Sequence, residues 1–186
     1  MRTLIITENI TLDGVIDAAE GWFAPSGEED VDESDIIAAL AEHRAAADAF
    51  LVGRVTFEQM RGFWPHQTDD ETGVSDYLNE VSKYVVSSTL QDPEWDRSTI
   101  LRGPLLDDIQ ALKSAPGKEI VVTGSLQLVP ALIDAGVVDE YRLFVYPVVL
   151  GRGQRLFEDA TSVGKLELVE TRQFTSGITL MRYRPA

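Results

Sequence analysis

The chain has 186 residues, 44% of them hydrophobic and 25% charged, and these values predict a single folded domain over residues 1–186. It has no cysteine, so disulfides are excluded. Its two histidines, His43 and His66, are far apart in the sequence, so no metal site is expected. The net charge of −15 argues against nucleic acid and anionic membranes as partners. No apolar run reaches the ~20 residues of a membrane span, and the first residues do not form a signal peptide, so we expect a cytoplasmic protein.

The N-terminal part of the chain predicts a strand, a long loop and a helix. Thr3–Leu12 is rich in β-branched residues and predicts the strand, which Asp13-Gly14 ends. The loop, Asp17–Ser34, is rich in glycine, proline and acidic residues, but it also contains Trp22 and Phe23, which we expect to pack back onto the fold. Ser34 is the predicted N-cap of a helix whose apolar positions extend to Ala47.

Strands and helices continue to alternate up to about residue 150. Further strands are predicted at Ala49–Gly53, Lys83–Ser88, Thr99–Leu101, Glu119–Thr123 and Tyr141–Leu150. Further helices are predicted at Arg54–Arg61, from Leu105 to about Leu112, and from near Leu126 to Ala135, with Pro130 in the first turn of the last and Gly136 beyond its end. Residues 65–76 are predicted to be a surface loop.

The C-terminal segments Lys165–Phe174 and Ile178–Arg184 flank Thr175-Ser176-Gly177, which predicts a β-hairpin. Alternating strands and helices predict an α/β fold in which a mostly parallel sheet has helices on both faces, and the hairpin adds antiparallel strands.

Two strand-to-helix junctions are candidate phosphate sites. In the first, a buried strand ends at Gly53, and Arg54, Val55 and Thr56 begin a helix, where free N–H groups and a guanidinium favour an anion. In the second, Thr123, Gly124, Ser125 and Leu126 follow a strand, although the spaced glycines of a dinucleotide fingerprint are missing. Each junction alone is equally compatible with a plain β–α turn. Both open at the carboxyl edge of one parallel sheet, where ligands bind.

Other polar segments allow two interpretations. Ser87 and Ser88 either contact a cofactor or cap the turn after their strand. The acidic run, which contains Glu28, Glu29, Asp30, Asp32, Glu33 and Asp35, is either a solvated loop and helix start or a source of a catalytic carboxylate. The chain contains no nucleophile elbow, HExxH or Walker lysine, so a reaction in which a cofactor carries the chemistry fits better than hydrolysis.

The order of several motifs resembles the dihydrofolate reductase-like superfamily over residues 3–184. These motifs are Thr11–Ile16 (TLDGVI), Gly53–Glu58 (GRVTFE), Val85–Leu90 (VVSSTL), Val122–Ser125 (VTGS) and Gly136–Glu140 (GVVDE). The segment Tyr146–Gly153 (YPVVLGRG) looks more like the reductase domain of riboflavin biosynthesis than like dihydrofolate reductase itself.

The resemblance implies a three-layer α/β/α fold with a mixed central sheet and NADPH across the carboxyl ends of its strands. It places the residues of the first junction on the adenosine phosphates, those of the second on the pyrophosphate, and Ser87 and Ser88 near the adenine. Asp13 and Gly14 are then near the nicotinamide, and Trp22 is in a loop that covers it. Asp35 is the predicted catalytic carboxylate, with Asp32 and Glu33 as neighbouring alternatives. Ser88 stands where riboflavin-type members often have a basic residue.

The expected function is therefore an NADPH-dependent reductase of a small heterocycle, of pyrimidine, pterin or flavin type, in or derived from riboflavin biosynthesis. The alternative is a nucleotide-binding protein without turnover. We also expect a homodimer, because Tyr141–Leu150 is apolar on both faces and such a strand is a liability at an exposed sheet edge. The competing interpretation is that this segment is a central strand.

Overall fold

The computed structural model describes residues 1–19, 21–23, 31–68, 70, 72–158 and 163–186. Its strands, in chain order, are β1 (Leu4–Thr11), β2 (Ala47–Gly53), β3 (Ser82–Val86), β4 (Ser98–Leu101), β5 (Glu119–Val122), β6 (Glu140–Tyr146), β7 (Leu166–Gln173) and β8 (Thr179–Pro185). Its helices are α1 (Ser34–Ala46), α2 (Arg54–Phe63), α3 (Val74–Glu80), α4 (Leu105–Ser114) and α5 (Leu128–Asp134), with a short 3₁₀ helix at Trp64–His66.

All eight strands join one mixed sheet in the order β4-β3-β2-β5-β1-β6-β8-β7. The six strands from β4 to β6 are parallel, β8 runs antiparallel to β6, and β7 runs antiparallel to β8. The predicted α/β class, the mostly parallel sheet and the C-terminal hairpin are therefore confirmed. The parallel order brings the carboxyl ends of β2, β5 and β1 side by side.

Helices cover both faces of the sheet, as predicted. One face carries α4 and α5, whose Ile109 and Leu132 pack in one cluster with Leu51 of β2. The opposite face carries α2 and α3 over β2 and β3, through Phe50, Val52, Phe57, Leu78 and Val85. On that same face α1 packs over β6 and β8, through Ile36, Ala39, Phe144 and Leu180.

The boundaries of α1 differ from the prediction at both ends. Ser34 is the first helical residue, Glu33 is the N-cap, and no side chain caps the helix. Ala47 does not belong to the helix, because it begins β2 and pairs with Glu119 of β5. Sheet pairing overrides the helical spacing of the alanines at this point.

Two further predictions were wrong in part. The surface loop predicted at 65–76 contains most of the 3₁₀ helix, and α3 begins within it at Val74. Seven residues that bury only Ser75 and Leu78 are too short to show a helical period. Strand β6 ends at Tyr146 and not at Leu150, since Pro147 has no N–H for the ladder.

Strand β6 is also not at a sheet edge, because β1 and β8 flank it on either side. The interpretation of this segment as a central strand is the one that the structure supports. The hairpin strand β7 forms one edge of the sheet, and its Leu168 and Val169 are exposed.

Candidate functional site

A cleft opens on one face of the sheet, over its central strands. On that face α1 covers β6 and β8, and α2 covers β2 and β3, so that β1 and β5 lie between the two helices. Side chains of these central strands are exposed there: Asn9 is exposed and Thr7 and Thr123 are partly exposed. An exposed amide in the middle of an eight-stranded sheet makes this part of the sheet a candidate ligand site.

The two predicted phosphate junctions meet at the carboxyl edge of this cleft. The backbone N–H of Gly53 donates a hydrogen bond of 2.8 Å to Oγ of Ser125, 72 residues later in the chain. This contact is possible because β2 and β5 are adjacent and parallel, so that both strands end at the same edge. The structure thus brings together residues that the sequence placed in separate motifs.

Both glycines are needed for this close approach. A Cβ on Gly53 would lie 3.1 Å from Oγ of Ser125, closer than most carbon contacts. Gly124 has a φ of +63°, and a Cβ there would lie 3.3 Å from the methyl group of Thr56. Ser125 follows with a φ of +70°, which is unusual for a residue with a side chain. The Gly124 turn, defined as Thr123–Leu126, is therefore tightly shaped and packed against the start of α2.

The start of α2 is suited to an anion. No side chain caps it, and its first turn contains no acidic residue, whereas α1, α3 and α4 all carry aspartates in their first turns. Arg54, the first residue, is 42% exposed and pairs with Glu58 at 2.7 Å. Val55 is also exposed. The first-turn N–H groups, with the partly exposed guanidinium of Arg54 beside them, are suited to an anion on an acidic protein.

The helix of the second junction begins within the predicted range, near Leu126 or later. Helix α5 begins at Leu128, so the Gly124 turn and Gln127 separate strand β5 from the helix. The predicted pyrophosphate contacts of Thr123, Gly124, Ser125 and Leu126 would come from this turn. Pro130 lies in the first turn of α5, as predicted.

Asp13 holds two segments of backbone together. Its carboxylate accepts hydrogen bonds from the Thr11 hydroxyl at 2.7 Å and from the N–H of Gly151 at 2.8 Å. These bonds lower the pKa of Asp13 to about 2, so it is charged at neutral pH. Gly14 follows with a φ of +88°. Asp13 therefore joins the end of β1 to the turn after β6, and its catalytic role stays a prediction.

Trp22 packs onto the fold, as expected for an aromatic residue in a polar loop. Its ring meets Tyr146 of β6 edge-on at 5.3 Å and Phe23 at 5.6 Å, and its indole N–H donates to the carbonyl of Asp17. Tyr146 lies on the same face as Asn9, and burial raises the pKa of its phenol. The sequence analysis missed Tyr146 as a wall of the cleft, since YRLFVY indicates only a buried strand.

Asp35 contacts the hairpin between β7 and β8. Its Oδ2 accepts bonds from the N–H and the hydroxyl of Thr175, at 2.8 and 2.9 Å, and the first of these lowers the pKa of Asp35. These contacts tie the Asp35 carboxylate to the hairpin, and its role as the catalytic carboxylate stays a prediction. Of its neighbours, Asp32 accepts the N–H of Ser34, whereas the charge of Glu33 acts on Tyr146. Glu28, Glu29 and Asp30 lie outside the described residues.

Ser87 and Ser88 have different surroundings. Ser87 is buried, and its hydroxyl accepts the N–H groups of Thr89 and Leu90, so it caps the turn after β3. Ser88 is exposed, and its carbonyl accepts a hydrogen bond from Arg102, the residue after β4. Arg102 thus supplies a positive charge beside the position where riboflavin-type members often have a basic residue. The sequence analysis missed it because it comes from the neighbouring strand.

Glu8 is a further residue that the sequence analysis missed. It lies in β1, is 4% exposed, and its Oε1 accepts the N–H of Gly124 at 2.8 Å. Burial raises the pKa of Glu8 to about 8. Alternation along β1 puts its side chain on the face of α4 and α5, opposite to the cleft.

Two observations concern other kinds of site. A shallow cavity of about 200 Å³ lies beside Gly14, lined by Val15, Asp17, Ala19, Leu150, Arg152 and Gly153. Within the ranges of the chain that the structure describes, no helix is both long and apolar enough to cross a membrane, and no three His, Asp or Glu residues are grouped to hold a metal ion.

Comparisons with known proteins give a consistent result. The family model of the RibD C-terminal domain matches residues 2–180. The uncharacterized protein YyaP of Bacillus subtilis (strain 168) is 31% identical over 184 residues, which are 98% of this chain and 94% of YyaP.

The solved structures that resemble this chain show its fold. A putative riboflavin biosynthesis protein from Shewanella sp. PV-4 has a TM-score of 0.72 at 19% identity, with 99% of each chain covered. A diaminohydroxyphosphoribosylaminopyrimidine deaminase/5-amino-6-(5-phosphoribosylamino)uracil reductase from Thermotoga maritima has a TM-score of 0.67 at 18% identity. All of this chain is covered in that comparison, and it spans 57% of the Thermotoga chain.

Proposed function

Because this chain belongs to the family of the RibD C-terminal domain, we propose that it is a reductase that binds NADPH and transfers a hydride to a small heterocycle of pyrimidine, pterin or flavin type. The observation that carries the proposal is the contact between Gly53 and Ser125, which joins two candidate phosphate sites at one sheet edge. A dinucleotide has several phosphates close together, so it suits two adjoining sites better than a single anion does.

The residues at this edge fit a dinucleotide. Gly53 and Gly124 allow the two junctions to pack closely together, and the uncapped start of α2 offers N–H groups. Arg54 and Thr56 would hold the adenosine phosphates, and the Gly124 turn would hold the pyrophosphate. Arg54 now pairs with Glu58, and both side chains are partly exposed. A movement of the Arg54 side chain alone would let it leave Glu58 and bind a phosphate group.

Arg102 supports NADPH over NADH. It reaches the carbonyl of Ser88, on the side where we place the adenine and its ribose. A guanidinium is a favourable partner for a 2′-phosphate, and it replaces a positive charge that Ser88 lacks. Ser87 would act indirectly there, by shaping the turn.

The chemistry of the reaction is that of the cofactor, which supplies a hydride when bound. The protein's own residues position the reacting rings and exclude water. We place the nicotinamide end beside Asp13 and Gly14, the heterocycle over Asn9, and Trp22 with Tyr146 along the wall. The Tyr146 phenol stays protonated, so it is the candidate donor of a proton to the substrate.

The alternative is a dinucleotide-binding protein without turnover. It is favoured by the state of Asp13 and Asp35, since hydrogen bonds keep the pKa of both carboxyl groups low. Neither is then a proton donor at neutral pH.

The proposal also includes a cytoplasmic location. The proposed partner is a small molecule and not a nucleic acid or a membrane.

Calorimetric titration with NADPH, followed by absorbance at the NADPH band with added acceptors, tests the proposal. The acceptors are 7,8-dihydrofolate, FMN and a 5,6-diaminouracil. We expect one NADPH bound per chain and NADPH consumption with one acceptor class. Binding without consumption would support the alternative, and absence of binding would contradict both.

A further inference from the structure

A buried carboxyl group lies directly behind the proposed pyrophosphate site. Glu8 is 4% exposed in the central strand β1, and its Oε1 accepts the N–H of Gly124 at 2.8 Å. Carboxylates are rarely buried in this way without a cation. Among the described residues, the N–H of Gly124 is the one hydrogen-bond partner of the Glu8 carboxyl group.

This hydrogen bond connects Glu8 to the Gly124 turn, and the turn is in contact with the start of α2. Gly124 and Ser125 both have positive φ values, a shape that needs support from outside the turn. Glu8 supports Gly124 from β1, and Ser125 in turn accepts the N–H of Gly53. A change at Glu8 therefore reaches both junctions.

Among the residues that the structure describes, no charge near Glu8 stabilises its ionised form. On its face of the sheet, β5 and β2 present no ionisable side chain, and β6 presents Tyr141. Burial raises the pKa of Tyr141 to about 12. Other ionisable groups of the packed elements are paired elsewhere or exposed: Arg2 with Asp48, Lys113 with Asp139, Asp108 with Gly103, and exposed Asp107 and Asp134. Arg155, from the loop after β6, contacts Asp13.

We propose that Glu8 is a positioning residue for the dinucleotide phosphates: as a neutral acid it holds the Gly124 turn in its binding shape, and its ionisation weakens cofactor binding. This inference rests on the proposed function. The neutral carboxyl group offers its carbonyl oxygen to Gly124 without placing a charge behind the pyrophosphate. Burial supports this state, because it raises the pKa of Glu8 to about 8. Above that pH a carboxylate faces an anionic ligand across one turn of backbone.

The test compares the wild type with Glu8→Gln and Glu8→Leu between pH 6.5 and 9.5. Glutamine stays neutral and keeps an oxygen acceptor for Gly124, whereas leucine has none. We expect the Kd for NADPH to rise about tenfold across this range in the wild type relative to Glu8→Gln, as expected for like charges a few ångströms apart in a protein. Titration of NADPH itself is the same for both proteins and cancels. Glu8→Leu should bind weakly at all pH values, and Glu8→Gln should restore binding.

A second readout needs no cofactor. The amide resonance of Gly124 in a ¹⁵N-¹H NMR spectrum should shift with a midpoint near pH 8 in the wild type and stay constant in Glu8→Gln. Equal pH profiles of Kd in the two proteins, or a Gly124 amide that does not titrate, would overturn the role of Glu8. Absence of NADPH binding at every pH would instead overturn the proposed function, and the Gly124 resonance would still report on Glu8.

Discussion

The N–H of Gly53 and the hydroxyl of Ser125 form a 2.8 Å hydrogen bond between two β–α junctions. The bond fixes the spacing of the start of α2 and the Gly124 turn. Each junction alone is compatible with an ordinary β–α turn. Their position at one sheet edge is the feature that supports a dinucleotide site.

The first prediction concerns this spacing. Gly53→Ala places a Cβ 3.1 Å from Oγ of Ser125 and pushes the junctions apart, so we expect a loss of about 1–2 kcal/mol in unfolding free energy and weaker NADPH binding. Gly62→Ala, in the helix α2 that follows Gly53, is the matched control, since nothing lies within 4 Å of its Cβ. That control should gain about 0.5–1 kcal/mol from lower chain entropy. Chemical denaturation and calorimetry measure both, and equal behaviour of the two variants would contradict the role of Gly53.

The second prediction concerns Arg54. Arg54→Ala removes the guanidinium at the start of α2, and we expect NADPH binding to weaken by roughly 1.5–3 kcal/mol for each charge-assisted hydrogen bond lost. Arg172→Ala, which removes an exposed arginine on β7, controls for net charge. Titration calorimetry compares the two, and an unchanged affinity in Arg54→Ala would remove this residue from the site.

The third prediction concerns the loop that carries Trp22. Because Trp22 packs on Tyr146 at the cleft wall, NADPH addition should quench its fluorescence. Trp22→Phe should remove most of the quenching, whereas Trp95→Phe, a change in the core beside α3, should retain it. Full quenching in Trp22→Phe would show that this loop does not cover the cofactor.

The sequence was sufficient to predict those parts of the fold and site that depend on local patterns. The alternation of strands and helices, the hairpin at Gly177 and both glycine junctions are of this kind. Glu8 and Asn9 were missed because a polar residue within an apolar strand reveals neither its exposure nor its partner. Asp35 was placed near the cleft by its position in the chain, but only the hairpin, 140 residues later, shows where its carboxylate points.

The fourth prediction concerns stability at acid pH. The pKa of His43 is lowered to about 4, mainly by burial, and the positive charge of Arg142 lowers it further. Below pH 6.5 the unfolded chain takes up a proton that the folded chain does not bind until about pH 4, so stability is lost as the pH falls through this window. His43→Phe keeps a ring against Phe144 and does not titrate. Its melting temperature should therefore fall less than that of the wild type between pH 6.5 and 4, and parallel curves would contradict the assignment.

The fifth prediction is the homodimer. Strand β6 is central and is not available for a dimer contact. The edge strand β7, where Leu168 and Val169 are exposed, is the surface that we expect to form it. Light scattering at micromolar concentration should give twice the 20.5 kDa mass of one chain. Val169→Lys on this edge should shift the mass toward the monomer. A mass near 20.5 kDa for the wild type would rule out the dimer.

A crystal structure of the protein with NADPH tests the central claim most directly. We predict that the phosphates lie between the start of α2 and the Gly124 turn, with Arg54 turned from Glu58 to a phosphate and the nicotinamide directed toward Gly14. Binding of NADPH elsewhere, for example only in the cavity lined by Val15, Leu150 and Gly153, with Arg54 still paired to Glu58, would contradict the account.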